Sequence, residues 1–323
     1  MLRTTPSLAL MLLAACGSVS TKTPPMMSPD APAGSSASPD AATDAAVDGA
    51  VAMLDAPAGP PCDRSKPFGA PVNVAGPNSS GSEMWGWLSA DGLTIYFDRM
   101  VGQGDYDIFQ ANRAHTTDAF GIPGDLSILN TADIDARPVT TADGLSLFLE
   151  TTRSLAGDIY ESSRSTTSDA WSDPVPVAYV DTSNTESSPW ISPDGLVLYY
   201  ASKLANGTAD IVRTSRSSRG AYFSAPVTLA SLDTGANEYG PTLSDDGLEI
   251  YFASDRTGTT LIYHATRAST SVDFSAPTPV TELNDGAAQV PSWLSPDHCQ
   301  LMFFSNRGGG AGDFDIWLAT RPK

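Results

Sequence analysis

Five oxygen-bearing side chains recur at a fixed spacing and could together bind a ligand or a cation. They are Glu83, Asp135, Glu186, Glu238 and Gln289, each eight residues before an Asp-Gly or Asp-His pair. Clustered carboxylates repel one another unless cations or hydrogen bonds compensate. Ca²⁺, which takes about 6 to 8 oxygen ligands, suits such a ring. In the alternative interpretation, each side chain accepts hydrogen bonds from backbone N–H groups at a strand start and faces solvent.

Three tryptophans follow members of this ring at one shared offset. Trp87, Trp190 and Trp293 each stand four residues after a ring position. Large aromatic side chains at equivalent places either pack between repeated units or form stacking platforms for a sugar. The sequence leaves both interpretations open.

The remaining reactive residues form no recognisable catalytic set. His115, His264 and His298 show no HExxH spacing, and the chain has no GxSxG sequence, so a zinc centre or a nucleophilic serine has little support. Glycoside hydrolysis needs only two carboxylates. A carbohydrate-active enzyme is therefore an alternative, although acids that recur in matching settings lack the unequal environments that catalysis uses.

A repeat of about fifty residues positions the ring. Asp-Gly pairs begin at Asp91, Asp143, Asp194 and Asp246, the fifth copy is Asp297-His298, and successive spacings are 52, 51, 52 and 51 residues. In each copy the pair separates two short apolar segments and a third follows, as in "DIVRTSR"; in the first four copies a fourth follows, as in "FSAPVTL". Asp-Gly is a hairpin turn signal. Four strands per copy predict an all-β, five-bladed β-propeller with four antiparallel strands per blade.

Acidic residues also open the third strand of four copies. They are Asp107, Asp158, Asp210 and Asp315, whereas Leu261 fills this place in the fourth copy. We interpret them as residues that set loop geometry.

The two ends of the repeat region predict how the ring closes. The segment "FGAPVNV" at 68–74 is a copy of the fourth strand, whereas the last unit ends after its third strand. We expect the N-terminal strand to complete the last blade, because this removes two exposed sheet edges. Cys62 and Cys299 then lie on one face, so a disulfide would staple the ring in an oxidising compartment. Two unpaired thiols are the alternative.

Residues 1–61 differ in composition from the repeats. The chain starts with Arg3 and a short apolar run, typical of an export signal. "LAACG" at 13–17 resembles the lipobox of bacterial lipoproteins, which implies lipidated Cys16 after a signal peptide of residues 1–16. Residues 17–61 are rich in Ser, Pro, Ala and Asp and predict a disordered tether. Residues 62–323 then form the propeller.

Units such as "SPDGLVLYYASKLANGTADIV" resemble the Pro-Asp variant of the WD40-like repeat in the propeller of TolB and in bacterial surface lipoproteins. The resemblance implies a lipid-anchored protein of the outer membrane, on its periplasmic or outer face, that docks a protein or a cell-envelope polymer. A net charge of −19 argues against nucleic acid as a partner. We expect a non-catalytic, monomeric binding or scaffold propeller without a cofactor. Bound Ca²⁺ is one alternative, and a cation-binding structural module is another.

Overall fold

The structure, a computed structural model, describes residues 62–102, 104–154, 156–203 and 207–323. This part of the chain contains twenty β-strands and no helix. It therefore has no helical segment of the length and apolarity that crossing a bilayer requires. Cys16, the export signal and the tether lie outside the described residues, so those interpretations stay predictions.

The twenty strands form five antiparallel sheets of four strands, here called blades 1 to 5. Blade 1 contains β2 (Glu83–Leu88), β3 (Thr94–Met100), β4 (Tyr106–Asn112) and β5 (Gly124–Asp125). Blade 2 contains β6 (Asp135–Thr140), β7 (Ser146–Thr151), β8 (Asp158–Ser163) and β9 (Val175–Pro176). Blade 3 contains β10 (Glu186–Ile191), β11 (Val197–Lys203), β12 (Ala209–Ser215) and β13 (Val227–Thr228). Blade 4 contains β14 (Glu238–Leu243), β15 (Glu249–Ser254), β16 (Leu261–Thr266) and β17 (Thr278–Pro279).

Blade 5 closes the ring with a strand from each end of the described chain. It contains β18 (Gln289–Leu294), β19 (Gln300–Ser305), β20 (Asp315–Thr320) and β1 (Val72–Asn73). Val72 pairs with Leu318, and Asn73 pairs with Trp317. The predicted five-bladed fold and the borrowed N-terminal strand are thus confirmed. A disulfide with an S–S distance of 2.08 Å joins Cys62 to Cys299 beside this closure.

The core lies between the faces of neighbouring blades. Leu147, Phe148 and Leu149 are consecutive in β7, and all three are fully buried. Consecutive residues of a strand point to opposite faces, so β7 is covered by protein on both sides. Full burial of each large apolar side chain stabilises the fold by about 1.5 to 3 kcal/mol, which explains why the second strands are continuous apolar runs.

The Asp-Gly pairs form the hairpin turns that the repeat predicted. In blade 1, Asp91 Oδ1 accepts hydrogen bonds from Ser89 Oγ at 2.6 Å and from Leu93 N at 2.9 Å. Gly92 has a φ of 69°, a left-handed conformation that glycine adopts without a steric cost. The same contacts recur in the other blades, and in blade 5 His298 holds the left-handed position with a φ of 59°.

Candidate functional site

The first strand of each blade contains a bulge, and two of the bulge residues, Trp85 and Arg137, line a cavity. In blades 1 to 4 the pairing of the first two strands shifts at this point. The bulged position has a positive φ in four blades, at Trp85, Arg137, Ser188 and Gly240. Such angles are rare for residues other than glycine. In blade 5 the shift falls between Pro291 and Trp293 instead, since proline holds φ near about −65°.

An axial cavity of about 570 Å³, open solvent included, lies among the bulges. Its lining consists of Met84, Trp85, Asp98, Tyr106, Ile134, Ala136, Arg137, Glu150, Tyr239 and Phe304. These residues come from blades 1, 2, 4 and 5. The charged ones, however, all belong to blades 1 and 2, so one side of the cavity is ionic and the opposite side is aromatic.

Arg137 organises the ionic side of the axial cavity. Its guanidinium forms an ion pair with Glu150, and its backbone N–H donates to Asp98 Oδ1 at 3.1 Å. The guanidinium carbon lies 5.4 Å from the centroid of the Trp85 ring, within the range of a cation–π interaction. Glu150 also accepts a hydrogen bond from Ser188 N at 3.1 Å. One arginine therefore links both carboxylates of the cavity to the tryptophan.

Burial changes the acid–base behaviour of this site. Burial raises the pKa of Asp98 to about 6, although the positive charge of Arg137 and the hydrogen bond from its N–H oppose the rise. Burial also raises the pKa of Tyr106 and of Tyr239 to about 12, so both phenols stay protonated at neutral pH. The cavity thus offers hydroxyl groups beside one carboxyl that titrates close to neutrality.

Some polar atoms around the axial cavity have no partner among the described residues. Trp85 Nε1 and Asp98 Oδ2 are both buried and form no hydrogen bond. Ser188 Oγ, on the neighbouring bulge, is in the same situation. An unsatisfied buried polar group costs about 1 to 3 kcal/mol. A donor and an acceptor left unpaired in one cavity indicate a place for a molecule that supplies the complementary groups.

The two acids of the axial cavity, Asp98 and Glu150, were not predicted from the sequence, because they do not recur from blade to blade. At the sixth place after each turn glycine, or after His298, the blades carry different residues: Asp98, Glu150, Ala201, Ala253 and Phe304. Two acids inside otherwise apolar strands were the available signal. The bulge positions also differ from blade to blade. The equivalent residues there are Trp85, Arg137, Ser188, Gly240 and Pro291.

The five predicted ring residues are all fully buried, and each is bonded within a loop socket. A loop socket is defined here as a ring residue together with the residue four places before it. Glu83 accepts hydrogen bonds from Ser79 N at 2.7 Å and Ser79 Oγ at 2.5 Å. Asp135, Glu186 and Glu238 accept the equivalent bonds from Thr131, Thr182 and Thr234. In blade 5 the roles are exchanged, because Gln289 Nε2 donates to Asp285 Oδ1.

Arginines neutralise most of the loop sockets. Arg99 binds Glu83 at 2.8 Å, Arg153 binds Asp135 at 2.6 Å, and Arg256 binds Glu238 at 3.2 Å. In blade 5, Arg307 lies 3.6 Å from Asp285. Glu186 has no such ion pair among the described residues, and burial raises its pKa to about 7. No three ring residues lie within 4.8 Å of each other in the described chain, so a cation shared by the whole ring stays a prediction without geometric support.

The three predicted tryptophans line a different opening, at the turn end of the inner strands. This depression of about 450 Å³, open solvent included, receives residues from all five blades. Trp87 Nε1 donates to Thr140 Oγ1 of the next blade at 3.0 Å, and Trp190 packs edge-on against Tyr199 with centroids 5.8 Å apart. Trp293 is half-buried. Packing thus occupies Trp87 and Trp190, whereas a stacking role of the three is still a hypothesis.

Two groups of three carboxylates could hold a metal ion, and both lie at junctions between blades. One consists of Asp158, Asp181 and Glu186, and the other of Asp210, Asp233 and Glu238. In each group the candidate ligand atoms lie within 4.8 Å of one another. Each group contains one ring residue, but the other two residues were not predicted as ligands.

Comparisons with known proteins give the fold a wider context. No protein-family profile and no curated protein matches the chain. A GH43_1 enzyme from Xanthomonas citri is similar in structure, with 14% identity, a TM-score of 0.53, and 77% of this chain and 90% of that chain aligned. The alpha-L-arabinofuranosidase PaAbf62A from Podospora anserina is also similar, with 14% identity, a TM-score of 0.51, and coverages of 77% and 94%.

A putative TolB from Agrobacterium tumefaciens is similar as well. It shares 16% identity with a TM-score of 0.48, and 75% of this chain and 91% of that chain are aligned. At these identities the similarities describe the architecture alone. This chain is an all-β propeller of five blades, similar in fold to glycoside hydrolase propellers.

Proposed function

We propose that the chain is a non-catalytic, extracytoplasmic binding propeller whose axial cavity takes a sugar unit of a cell-envelope polymer. One observation carries the proposal: Trp85 Nε1 and Asp98 Oδ2 are a buried donor and a buried acceptor without partners in the same cavity. A hydroxyl group both accepts and donates hydrogen bonds. A polyhydroxylated ring therefore carries both kinds of group that these two atoms lack.

The shape and polarity of the cavity support a ligand with both apolar and polar surface. Trp85, Tyr106 and Tyr239 supply aromatic surface, and the guanidinium of Arg137 supplies additional N–H donors. Small-molecule sites typically combine an apolar lining with a few well-placed polar groups.

Binding without turnover is supported by the state of the two carboxylates. Glu150 is held by the Arg137 guanidinium and by Ser188 N, and Asp98 Oδ1 accepts the backbone N–H of Arg137. A general acid or base must reach the substrate with its reactive oxygen. Because the Arg137 guanidinium holds Glu150 in an ion pair, we infer that the cavity presents Asp98 Oδ2 as a single free acid rather than the two acids that hydrolysis uses.

The compartment is supported by the disulfide between Cys62 and Cys299, because disulfides persist mainly in oxidising environments. Together with the lipobox-like start, this favours an outer-membrane lipoprotein anchored only through Cys16. We propose that the propeller acts as a monomer at the end of its tether.

The test compares binding of the full-length protein to purified peptidoglycan, and to soluble chitotriose by calorimetry, in the wild type and in Trp85→Phe. The variant keeps the aromatic ring but removes the unpartnered N–H, so we expect at least about tenfold weaker binding. Trp171→Phe is the matched control, because Trp171 Nε1 is also buried and unpartnered but lies outside the cavity. Equal affinity of all three proteins would contradict the proposal. So would capture of one protein partner in intact cells without any saccharide binding.

Glycoside hydrolysis is the second candidate, and one observation favours it. Asp98, with a pKa of about 6, and ion-paired Glu150 are two acids in unequal environments within one cavity. Such inequality is what distinguishes an acid from a base in a hydrolase. Release of reducing ends by the wild type, together with its loss in Asp98→Asn, would establish this candidate in place of the first.

A further inference from the structure

The five junctions between blades are built on one plan, and two of them depart from it. Each junction contains a residue at the first or second place of the third strand of one blade, a loop residue five places before the next ring residue, and that ring residue. The strand residues are Asp107, Asp158, Asp210, Leu261 and Asp315. The loop residues are Asn78, Asn130, Asp181, Asp233 and Asn284. Three junctions thus have asparagine where two have aspartate.

The asparagines have a clear structural role. Asn130 Oδ1 accepts the N–H of Ile108 at 2.8 Å, and Asn130 Nδ2 donates to the carbonyl of Ile108 at 3.1 Å. Asn78 braces Ile316 in the same way, and Asn284 braces Ile262. The amide therefore ties the loop to the third strand through one donor and one acceptor.

Aspartate cannot form this brace, because an ionised carboxylate has no N–H to donate to a strand carbonyl. At the two departing junctions it instead adds a third carboxylate. Asp181 joins Asp158 and Glu186, and Asp233 joins Asp210 and Glu238. In both groups the loop aspartate is exposed and the other two acids are buried, so replacement of the brace concentrates negative charge in a site that has access to solvent.

Asp210 shows that these carboxylates are not fully satisfied by hydrogen bonds from the described part of the protein. It is 1% exposed, and neither of its oxygens accepts a hydrogen bond from any described residue. In the described chain, it is the only aspartate opening a third strand with both oxygens in this state. One oxygen of Asp158 is in the same state, as is one oxygen of Asp107 and of Asp315 at junctions that keep the asparagine, so Asp210 is the residue that distinguishes these sites. Buried carboxylates are otherwise paired or hydrogen-bonded.

We propose that these junctions are two Ca²⁺ sites, one formed by Asp158, Asp181 and Glu186 and the other by Asp210, Asp233 and Glu238. Oxygens on opposite sides of Ca²⁺ are about 5 Å apart, and the candidate ligand atoms lie within 4.8 Å of one another. Three carboxylates supply part of the coordination shell, and water reaches the remainder past the exposed aspartate.

The two sites differ in how much of their negative charge an arginine already neutralises. Glu238 is already bound by Arg256, with Nη2 3.2 Å from Oε1. Glu186 has no ion pair among the described residues, and the sequence has Leu204 where blades 2, 4 and 5 have their socket arginine. The Asp158 site is therefore the tighter of the two.

Calorimetric titration of the full-length protein with CaCl₂, after removal of metal by EDTA, tests the proposal. We expect two Ca²⁺ ions per chain and a melting temperature at least about 5 °C higher in saturating Ca²⁺ than in EDTA. Asp181→Asn and Asp233→Asn each install the residue found at the other three junctions, so the variants fold. Each lowers the stoichiometry from two to one, and the double variant binds none.

Asp133→Asn is the control for charge alone, because Asp133 is exposed in the equivalent loop of another junction and belongs to neither group. It keeps two bound ions. Absence of Ca²⁺ binding by the wild type would overturn the proposal, as would two ions bound to the double variant. An equal response to MgCl₂ would overturn the assignment to Ca²⁺, since Mg²⁺ demands a smaller octahedral shell.

Discussion

The loop sockets and the axial cavity use the same strands but follow opposite rules. In four of the five sockets a buried carboxylate accepts hydrogen bonds from a Ser or Thr four residues earlier, and blade 5 only exchanges donor and acceptor. In the axial cavity, equivalent positions hold Asp98, Glu150, alanine or phenylalanine. The contrast teaches that recurring polar residues hold this ring together, whereas its candidate recognition groups are those that occur in only one blade.

The strongest test of this contrast is removal of a socket arginine. Arg153 binds Asp135, which is fully buried, at 2.6 Å. Arg153→Met leaves that carboxylate without its cation, so we expect a loss of about 3 to 5 kcal/mol in the free energy of unfolding, measured in urea. Arg219→Met is the control, because it breaks the exposed pair with Asp143 and should cost less than about 1 kcal/mol. Equal losses would show that the socket is not a structural centre.

The axial cavity should respond to pH instead. The pKa of Asp98 is raised from 3.8 to about 6, so its contribution to stability is complete below pH 3.8 and is lost as the pH rises through 6. Asp98→Asn removes this loss. We expect the variant to gain roughly 2 to 3 kcal/mol relative to the wild type between pH 3.5 and 7.5. If the free energies of unfolding of the wild type and of Asp98→Asn changed equally with pH, the interpretation of Asp98 as an unsatisfied buried acid would be wrong.

The smallest expected effect concerns the turns, which recur as the sockets do. Gly247 has a φ of 67°, so Gly247→Ala should destabilise the fold by about 1 to 2 kcal/mol. Gly220→Ala is the control, because no atom lies within 4 Å of the added Cβ and its φ is not left-handed. Equal melting temperatures of the two variants would show that the left-handed turn glycine does not contribute to the stability of the ring.

Much of the architecture could be predicted because it depends on local signals repeated five times. The Asp-Gly turns, the apolar second strands and the copy of a fourth strand at 68–74 each required only neighbouring residues. The ring positions were recognised by the same periodicity, but their surroundings were not. Sequence could not show that Glu83 is bonded to Ser79 and Arg99 while Glu186 lacks an arginine partner among the described residues.

The sequence by itself determined the number of blades, their four strands and the closure, because turn chemistry and burial act over a few residues and repeat without drift. Only the tertiary structure decided which departures from the repeat meet in space. Arg137, Asp98 and Glu150 come together because the bulge of blade 2 lies beside the second strands of blades 1 and 2. Asp181 joins Asp158 and Glu186 because one blade packs against the next. Such contacts depend on how the sheets are arranged around the ring, which no local pattern encodes.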